Sequence, residues 1–187
     1  ALGHSHIQED QDKNLWIISF TQGFFQYDRD QETFFRIIPK TNQLIPDTSI
    51  NNPVNRTEID QKGRIWISNR RHLFVFDPRS NQLYNHKEIL DLTATPSLSS
   101  IWSLKGDHNG DIWIVAAGTG VFYCSQKRNK FRSYLKNKVD YISPGENGKI
   151  WTDGMGKPAL FDPSNESFKV YPEAPPNVKD LLVDDNE

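Results

Sequence analysis

An all-β chain made of repeated four-stranded antiparallel sheets is the architecture this sequence predicts, and three observations predict it. A Trp recurs in register, in Asn14-Leu15-Trp16-Ile17, Arg64-Ile65-Trp66-Ile67, Asp111-Ile112-Trp113-Ile114 and Lys149-Ile150-Trp151-Thr152, at spacings of 50, 47 and 38 residues. A turn signature precedes it. Six positions before the Trp stands Asp10, Asp60 or Asp107, and three positions before it stands Gly63, Gly110 or Gly148. Finally, the segments around each Trp alternate with a period of two, and no long helical stripe interrupts them. Self-similarity at such a period is the mark of a repeat architecture.

Each unit reads as four strands in order. The first precedes the Asp, as in Ile7 to Glu9 or Ile101 to Lys105. The Asp-x-x-Gly that follows is a tight turn, because Asp bonds its own downstream backbone and Gly accepts a positive φ. The second strand carries the Trp. Its Ile neighbours point to one face and the Trp to the other, so both faces are apolar and both must be covered. The third strand is the Gly23-Phe24-Phe25-Gln26-Tyr27-Asp28 type of segment, matched by Leu73 to Asp77, Gly120 to Ser125 and Pro158 to Asp162. The fourth strand holds Phe34, Leu83, Phe131 or Phe168, 17 or 18 positions after the Trp.

Such a sheet cannot stand alone in water. Radial stacking of similar sheets about an axis, the β-propeller, buries both faces. The blades are expected at about 4–37, 54–86, 100–134 and 139–171 of a partial propeller spanning 1–187. Residues 177–187 read as the first strand of a fifth blade, cut before its Gly and Trp. The expectation is a fragment of a larger ring, excised from a longer protein, whose open blade faces invite self-association.

Composition narrows the function classes. The 187 residues carry 36% hydrophobic, 12% aromatic and 25% charged side chains, which argues against disorder. A net charge of −2 gives no nucleic-acid footprint. No apolar run approaches the roughly 20 residues of a membrane helix, so any membrane attachment is expected from segments outside this sequence. With Cys124 as the only cysteine, an internal disulfide or a multi-thiolate zinc site is excluded.

The Asp-x-x-Gly-x-Ile-Trp-Ile pattern, best in Asp60 to Asp77 and Asp107 to Tyr123, resembles the two-component regulator propeller repeat over nearly the whole chain. Lys13 and Gly145 depart from the pattern, as do the missing glycines before Leu73 and Ala159. In that family two seven-bladed propellers form the periplasmic sensor region of Bacteroides-type hybrid histidine kinases. The resemblance implies periplasmic sensing of a carbohydrate, often an oligosaccharide, with signal passed across the membrane to a kinase that lies outside this sequence.

Topology places a candidate site. The connections from fourth to first strand and the turns from second to third strand lie at one end of the blades. Two of those connections are long, Ile38 to Pro53 and Lys87 to Ser99, and long loops on a rigid scaffold are where binding residues gather. The first strands lie nearest the axis. Candidate ligand residues at that end are Arg56, Arg70, Arg71, Trp102, Tyr141 and Asp153. Trp102 is the one Trp outside the registered position; it either packs beneath the loop Leu90 to Ser99 or offers a sugar its aromatic face. Arg70 and Arg71 either form a solvated turn or bind an acidic sugar or a neighbouring chain. The registered Trp16, Trp66, Trp113 and Trp151 are expected in the core.

No catalytic set, metal site or cofactor is expected. His4 and His6 lack a third ligand nearby, and Asp10, Asp60 and Asp107 each have a turn to make. Gly154-Met155-Gly156-Lys157 lacks the spacing of a phosphate loop. A non-enzymatic sensor is therefore the first reading. A protein-binding scaffold is the second, and a propeller lyase or glycosidase the third.

Overall fold

The computed structural model of the chain describes residues 6–19, 23–38, 40–41, 54–69, 72–85, 88, 101–116, 119–125, 130–134, 139–154 and 156–176. The first sheet comprises β1 (His6–Glu9), β2 (Leu15–Ser19), β3 (Gly23–Asp28) and β4 (Thr33–Ile37), paired antiparallel in chain order. A two-residue strand, β5 (Lys40–Thr41), follows. The second sheet is β6 (Val54–Ile59), β7 (Ile65–Asn69), β8 (Leu73–Asp77) and β9 (Gln82–Asn85). The third is β10 (Ile101–Gly106), β11 (Ile112–Ala116), β12 (Gly120–Ser125) and β13 (Lys130–Tyr134). The fourth is β14 (Ile142–Pro144), β15 (Ile150–Gly154), β16 (Lys157–Asp162) and β17 (Ser167–Val170). Sequence reading treats Ile38 onward as loop, but Lys40 and Thr41 pair in parallel with Gln82 and Leu83. The first connection thus lends the second sheet a fifth, outermost strand.

The turn between the first two strands sets the register of each sheet. In the first sheet, Asp10 Oδ1 accepts the backbone N–H of Asp12 at 2.9 Å and of Asn14 at 2.8 Å. Asp60 and Asp107 repeat this with Lys62 and Arg64, and with Asn109 and Asp111, at 2.9–3.0 Å. The turn then needs a left-handed residue. Gly63 (φ 73°), Gly110 (φ 71°) and Gly148 (φ 74°) supply it, while Lys13 is forced to φ 66°. A side chain in that region costs roughly 1–2 kcal/mol. Lys13→Gly should therefore raise stability by about 0.5–1 kcal/mol after the extra chain entropy of Gly is subtracted. The Lys13–Glu9 pair lost with it is exposed and contributes little. Urea denaturation checks this, and a net loss of stability would contradict it. A second turn, between third and fourth strands, also recurs. Asp28, Asp77 and Asp162 cap backbone N–H groups at 2.8–2.9 Å, and Glu32, Asn81 and Glu166 follow at φ 51–56°.

The sheets fan about an axis with their first strands innermost: β1 lies against β6, β6 against β10, and β10 against β14. Three apolar clusters fill the wedges between them. Trp16, Ile18 and Phe24 meet Ile65, Ile67, Phe74, Phe76 and Leu83. Trp66, Leu73 and Val75 meet Ile101, Leu104, Ile112, Ile114 and Phe122. Trp113, Val115, Val121 and Tyr134 meet Val139, Ile142, Ile150 and Phe161. In every wedge the Trp face of one sheet covers the Ile/Phe face of the next. Burying one Trp contributes on the order of 4–6 kcal/mol of transfer free energy as an upper bound.

Trp16, Trp66 and Trp113 are buried as expected. Trp151 is only half-buried, which corrects the expectation that it is a core residue. Among the described residues no sheet lies beyond the fourth to cover it. Its indole packs on Tyr171 instead, with ring centroids 5.2 Å apart. The expected first strand of a fifth blade, 177–187, lies outside the described residues.

Candidate functional site

Two inner strands are interrupted near the end where the long connections enter. In β6 the register shifts between Val54 and Arg56, and in β10 between Ile101 and Ser103. Counting back from Asp60 and Asp107 makes Asn55 and Trp102 equivalent, so both irregularities fall at the same place in neighbouring sheets. A β-bulge takes a residue out of the pleat and re-aims its side chain. Trp102 is the result: flanked by buried Ile101 and Ser103, it is 44% exposed. Arg56, exposed on the adjacent inner strand, lies at the same end. The bulge thus presents an aromatic face at the axis mouth, with Arg56 exposed at the same end of the neighbouring inner strand. The loop Leu90 to Ser99, beneath which Trp102 was alternatively expected to pack, lies outside the described residues, as do Arg70 and Arg71.

Tyr141 and Asp153 have other tasks here. The Tyr141 side chain is 7% exposed, in the interior. Asp153 Oδ1 accepts the N–H of Asp140 at 2.8 Å and of Tyr141 at 3.2 Å, so it fastens the entry of the fourth sheet's inner strand to β15. Thr152 adds a hydroxyl bond to the Tyr141 carbonyl at 3.2 Å. In the second sheet Ser68 Oγ reaches the Arg56 carbonyl at 3.4 Å. In the second and fourth sheets the entry of the inner strand is thus tied to the second strand.

Three features were not anticipated. First, the turn Asp has a second role: its Oδ2 accepts the indole N–H of the Trp six residues on, at 2.9 Å for Asp10–Trp16, 2.8 Å for Asp60–Trp66 and 2.9 Å for Asp107–Trp113. The constant spacing of six was the available signal. Burial raises the Asp10 carboxyl, but the bonds from Trp16, Asn14 and Asp12 outweigh it and hold the group below its ordinary range. Second, residues two before that Asp tie neighbouring inner strands. Gln8 donates to the Thr57 carbonyl at 3.1 Å and to its hydroxyl at 3.0 Å, and Glu58 takes the Gly106 N–H beside Lys105. Third, the residue two before each Trp decides what fills the far end of each wedge. Arg64 closes it between the second and third sheets, bonding Asp60 Oδ2 at 2.8 Å with its guanidinium 6.0 Å from the Trp66 ring. In the third sheet Asp111 accepts the Tyr123 hydroxyl, and burial together with that carboxylate pushes the phenol well above its usual range. Shorter Asn14 leaves a cleft of about 180 Å³, lined by Asp10, Asp12, Trp16, Gln26, Pro78 and Arg79 among others, at the end opposite Trp102.

Glu58 gives a pH prediction. Burial raises its pKa, and Lys105 and the Gly106 and Ile59 N–H groups only partly oppose this. The folded state then holds the proton more tightly than the unfolded chain does. Stability from this group is present at low pH and is lost as pH rises through the folded pKa. Glu58→Gln should accordingly gain on the parent as pH goes from about 4 to about 7. Denaturation midpoints across that range check it; a difference that stays flat would contradict it.

Cys124 is 1% exposed, and burial raises its thiol to about 12, so it remains a protonated packing group at neutral pH.

No protein-family model matches the chain, and no curated protein matches it. Solved structures do. The extracellular domain of BT3049, assigned to the hybrid two component systems of B. thetaiotaomicron, aligns at 21% identity and TM-score 0.62 over 87% of this chain and 22% of that one. The corresponding domain of BT4673 from the same organism aligns at 20% identity and TM-score 0.62, over 91% and 24%. The WD40 repeats of RRP9 align at 13% identity and TM-score 0.65, over 91% and 52%. The chain thus spans less than a quarter of the two extracellular domains. Sheets fanned with their first strands at the axis, a Trp in the wedge behind each of the first three, and structural matches that include WD40 repeats make this chain's fold a β-propeller.

Proposed function

We propose that this chain is part of the extracytoplasmic, ligand-sensing propeller of a hybrid two-component sensor histidine kinase, and that it binds a carbohydrate at the axis mouth beside Trp102. The observation that carries the reading is the exposed, bulge-mounted Trp102, with Arg56 exposed at the same end of the neighbouring inner strand. An indole face suits the C–H surface of a sugar ring, and a guanidinium suits its hydroxyl or carboxylate oxygens. The extracellular domains of BT3049 and BT4673 support the sensor role through their likeness in fold. In this reading the protein works in the periplasm and turns nothing over. Binding biases the arrangement of paired sensor chains, which requires a different affinity for the two arrangements.

Calorimetry with a panel of neutral and acidic oligosaccharides tests it, on this chain and on the longer protein that contains it. Binding by at least one glycan is expected, with Trp102→Ala weakening it tenfold or more while the circular dichroism spectrum is unchanged. Silence across the panel for both proteins would overturn the carbohydrate reading. Recovery of a protein partner with no sugar bound would move the assignment to an interaction scaffold, and turnover of a polysaccharide would move it to an enzyme.

A further inference from the structure

The wedge between the second and third sheets is filled at its far end, and the wedge between the first and second is not. The residue that fills the one shows what suits the other. Arg64 Nε donates to Asp60 Oδ2 at 2.8 Å, its Nη2 stands 2.8 Å from the same oxygen, and its guanidinium carbon stands 6.0 Å from the Trp66 ring centre. Gln61 adds cover, its Cγ occupying the space that a Cβ on Gly110 would need. In the first wedge the corresponding residues are Asn14, Asp10, Trp16, Gln11 and Gly63. Asn14 Nδ2 takes one position on Asp10 Oδ2, at 3.0 Å, where the Arg64 fork takes two. Among the described residues, nothing beyond the chain neighbours of Gly63 lies within 4 Å of where its Cβ would be. The cleft of about 180 Å³ is the space left, and Asp10 on its wall is 8% exposed where Asp60 is 1%.

The cleft differs from its filled counterpart in chemistry as well as in room. Two positions after the turn Asp the second sheet has Lys62, and the first has Asp12. Gln26 stands opposite Trp16 where Val75 stands opposite Trp66, so an amide replaces an isopropyl group. At Asp10 burial is outweighed by the bonds the carboxylate accepts, so it is ionised at neutral pH. The first wedge thus lacks the internal cation of the second and offers more acceptors. Arg79 borders the cleft and is exposed. Lys127 corresponds to it in sequence, and the second wedge still holds the Arg64 guanidinium, so a cation at that position does not exclude another.

We propose that this cleft binds the guanidinium group of an arginine, which enters from solvent and takes the place that Arg64 holds in the next wedge. Its N–H groups meet the open position on Asp10 Oδ2, the Asp12 carboxylate and the Gln26 carbonyl, and its plane lies toward the Trp16 indole. Arginine suits the cleft better than lysine, because a planar fork reaches several acceptors at once and stacks on an aromatic face. The arginine is the free amino acid or a residue of a peptide; the chemistry that recognises it is the same. The site is independent of the carbohydrate reading, whose residues lie at the opposite end of the blades.

Titration of the 187-residue chain with L-arginine to about 10 mM tests it, in about 150 mM salt so that diffuse attraction is screened. Proton–nitrogen correlation spectra of the indole N–H groups give the readout. The Trp16 signal is expected to shift and saturate while that of Trp66 stays still. L-Citrulline, which keeps the shape and loses the charge, should bind about tenfold more weakly or worse, and so should L-lysine. Asn14→Arg should fill the cleft from within and abolish the shift, with the circular dichroism spectrum unchanged. Asp12→Lys, which copies Lys62 at an exposed turn position, should weaken binding about tenfold and serves if Asn14→Arg does not fold. N-acetyl-L-arginine amide separates the two sources: undiminished binding assigns the cleft to a peptide, and a loss of about tenfold assigns it to the free amino acid. No saturable shift at Trp16 would overturn the inference. So would citrulline or lysine binding as tightly as arginine, or binding left intact by Asn14→Arg or by Asp12→Lys.

Discussion

Trp66→Ala is expected to cost about 3–5 kcal/mol. Trp66 is fully buried in the wedge between the second and third sheets, among Leu73, Val75, Ile101, Leu104 and Phe122. Its removal leaves a cavity that four flanking strands cannot collapse into, and it strips a donor from the Asp60 carboxylate. A domain of this size is held by roughly 5–15 kcal/mol, so the variant sits near the unfolding limit. Trp66→Phe keeps most of the packing and should cost less, about 1–3 kcal/mol. Trp151→Ala should cost less than Trp66→Ala, because Trp151 is half-buried and has Gly145, not Asp, six residues before it. Urea denaturation of the three variants in parallel gives the ranking, and equal losses for Trp66→Ala and Trp151→Ala would refute it.

Asp60→Ala is expected to be nearly as damaging, by about 3–5 kcal/mol, although it deletes only a carboxylate from a turn. The Asp60 side chain is fully buried and takes the Lys62 and Arg64 N–H groups on one oxygen, and the Arg64 guanidinium and Trp66 indole on the other. Removing it orphans a buried indole N–H and takes its carboxylate from a nearly buried guanidinium. Asp60→Asn retains one acceptor oxygen and should fall between the two. Since the effect combines turn and wedge, Asp60→Ala and Trp66→Ala should be strongly non-additive in a double-mutant cycle. Additive losses would show that the carboxylate serves the turn alone.

The repeat was legible because each strand must satisfy both faces. Ile65 and Ile67 against Trp66 announce a sheet covered on two sides, and the three wedge clusters bear that out. Asp60 and Gly63 announce the turn, and Gly63 does take the left-handed backbone. The second use of the Asp was not read, because a turn explanation already accounted for that residue. The ties made by Gln8 and Glu58 cross between sheets, so their partners are set by packing and not by local pattern. The site was legible only in part. That Trp102 stands outside the register was visible, but its exposure depends on a bulge, and nothing in Ile101-Trp102-Ser103 distinguishes a bulged strand from a regular one. Asp153 looked like a ligand because a carboxylate near a loop end usually meets solvent. Its two backbone N–H partners, Asp140 and Tyr141, become neighbours only when β14 pairs with β15.

One carboxylate that shapes a bend and also seats the bulky ring six residues later has a consequence for how such chains lengthen. Instructions for the local corner and for adhesion to the neighbouring leaf travel together in a stretch of seven residues. A gene segment duplicated in tandem therefore carries its own glue, and the new copy can dock before any of its loops has been refined. Selection is then free to remodel the rim of each leaf, as the unlike residues Asn14, Arg64, Asp111 and Lys149 at one equivalent position already illustrate.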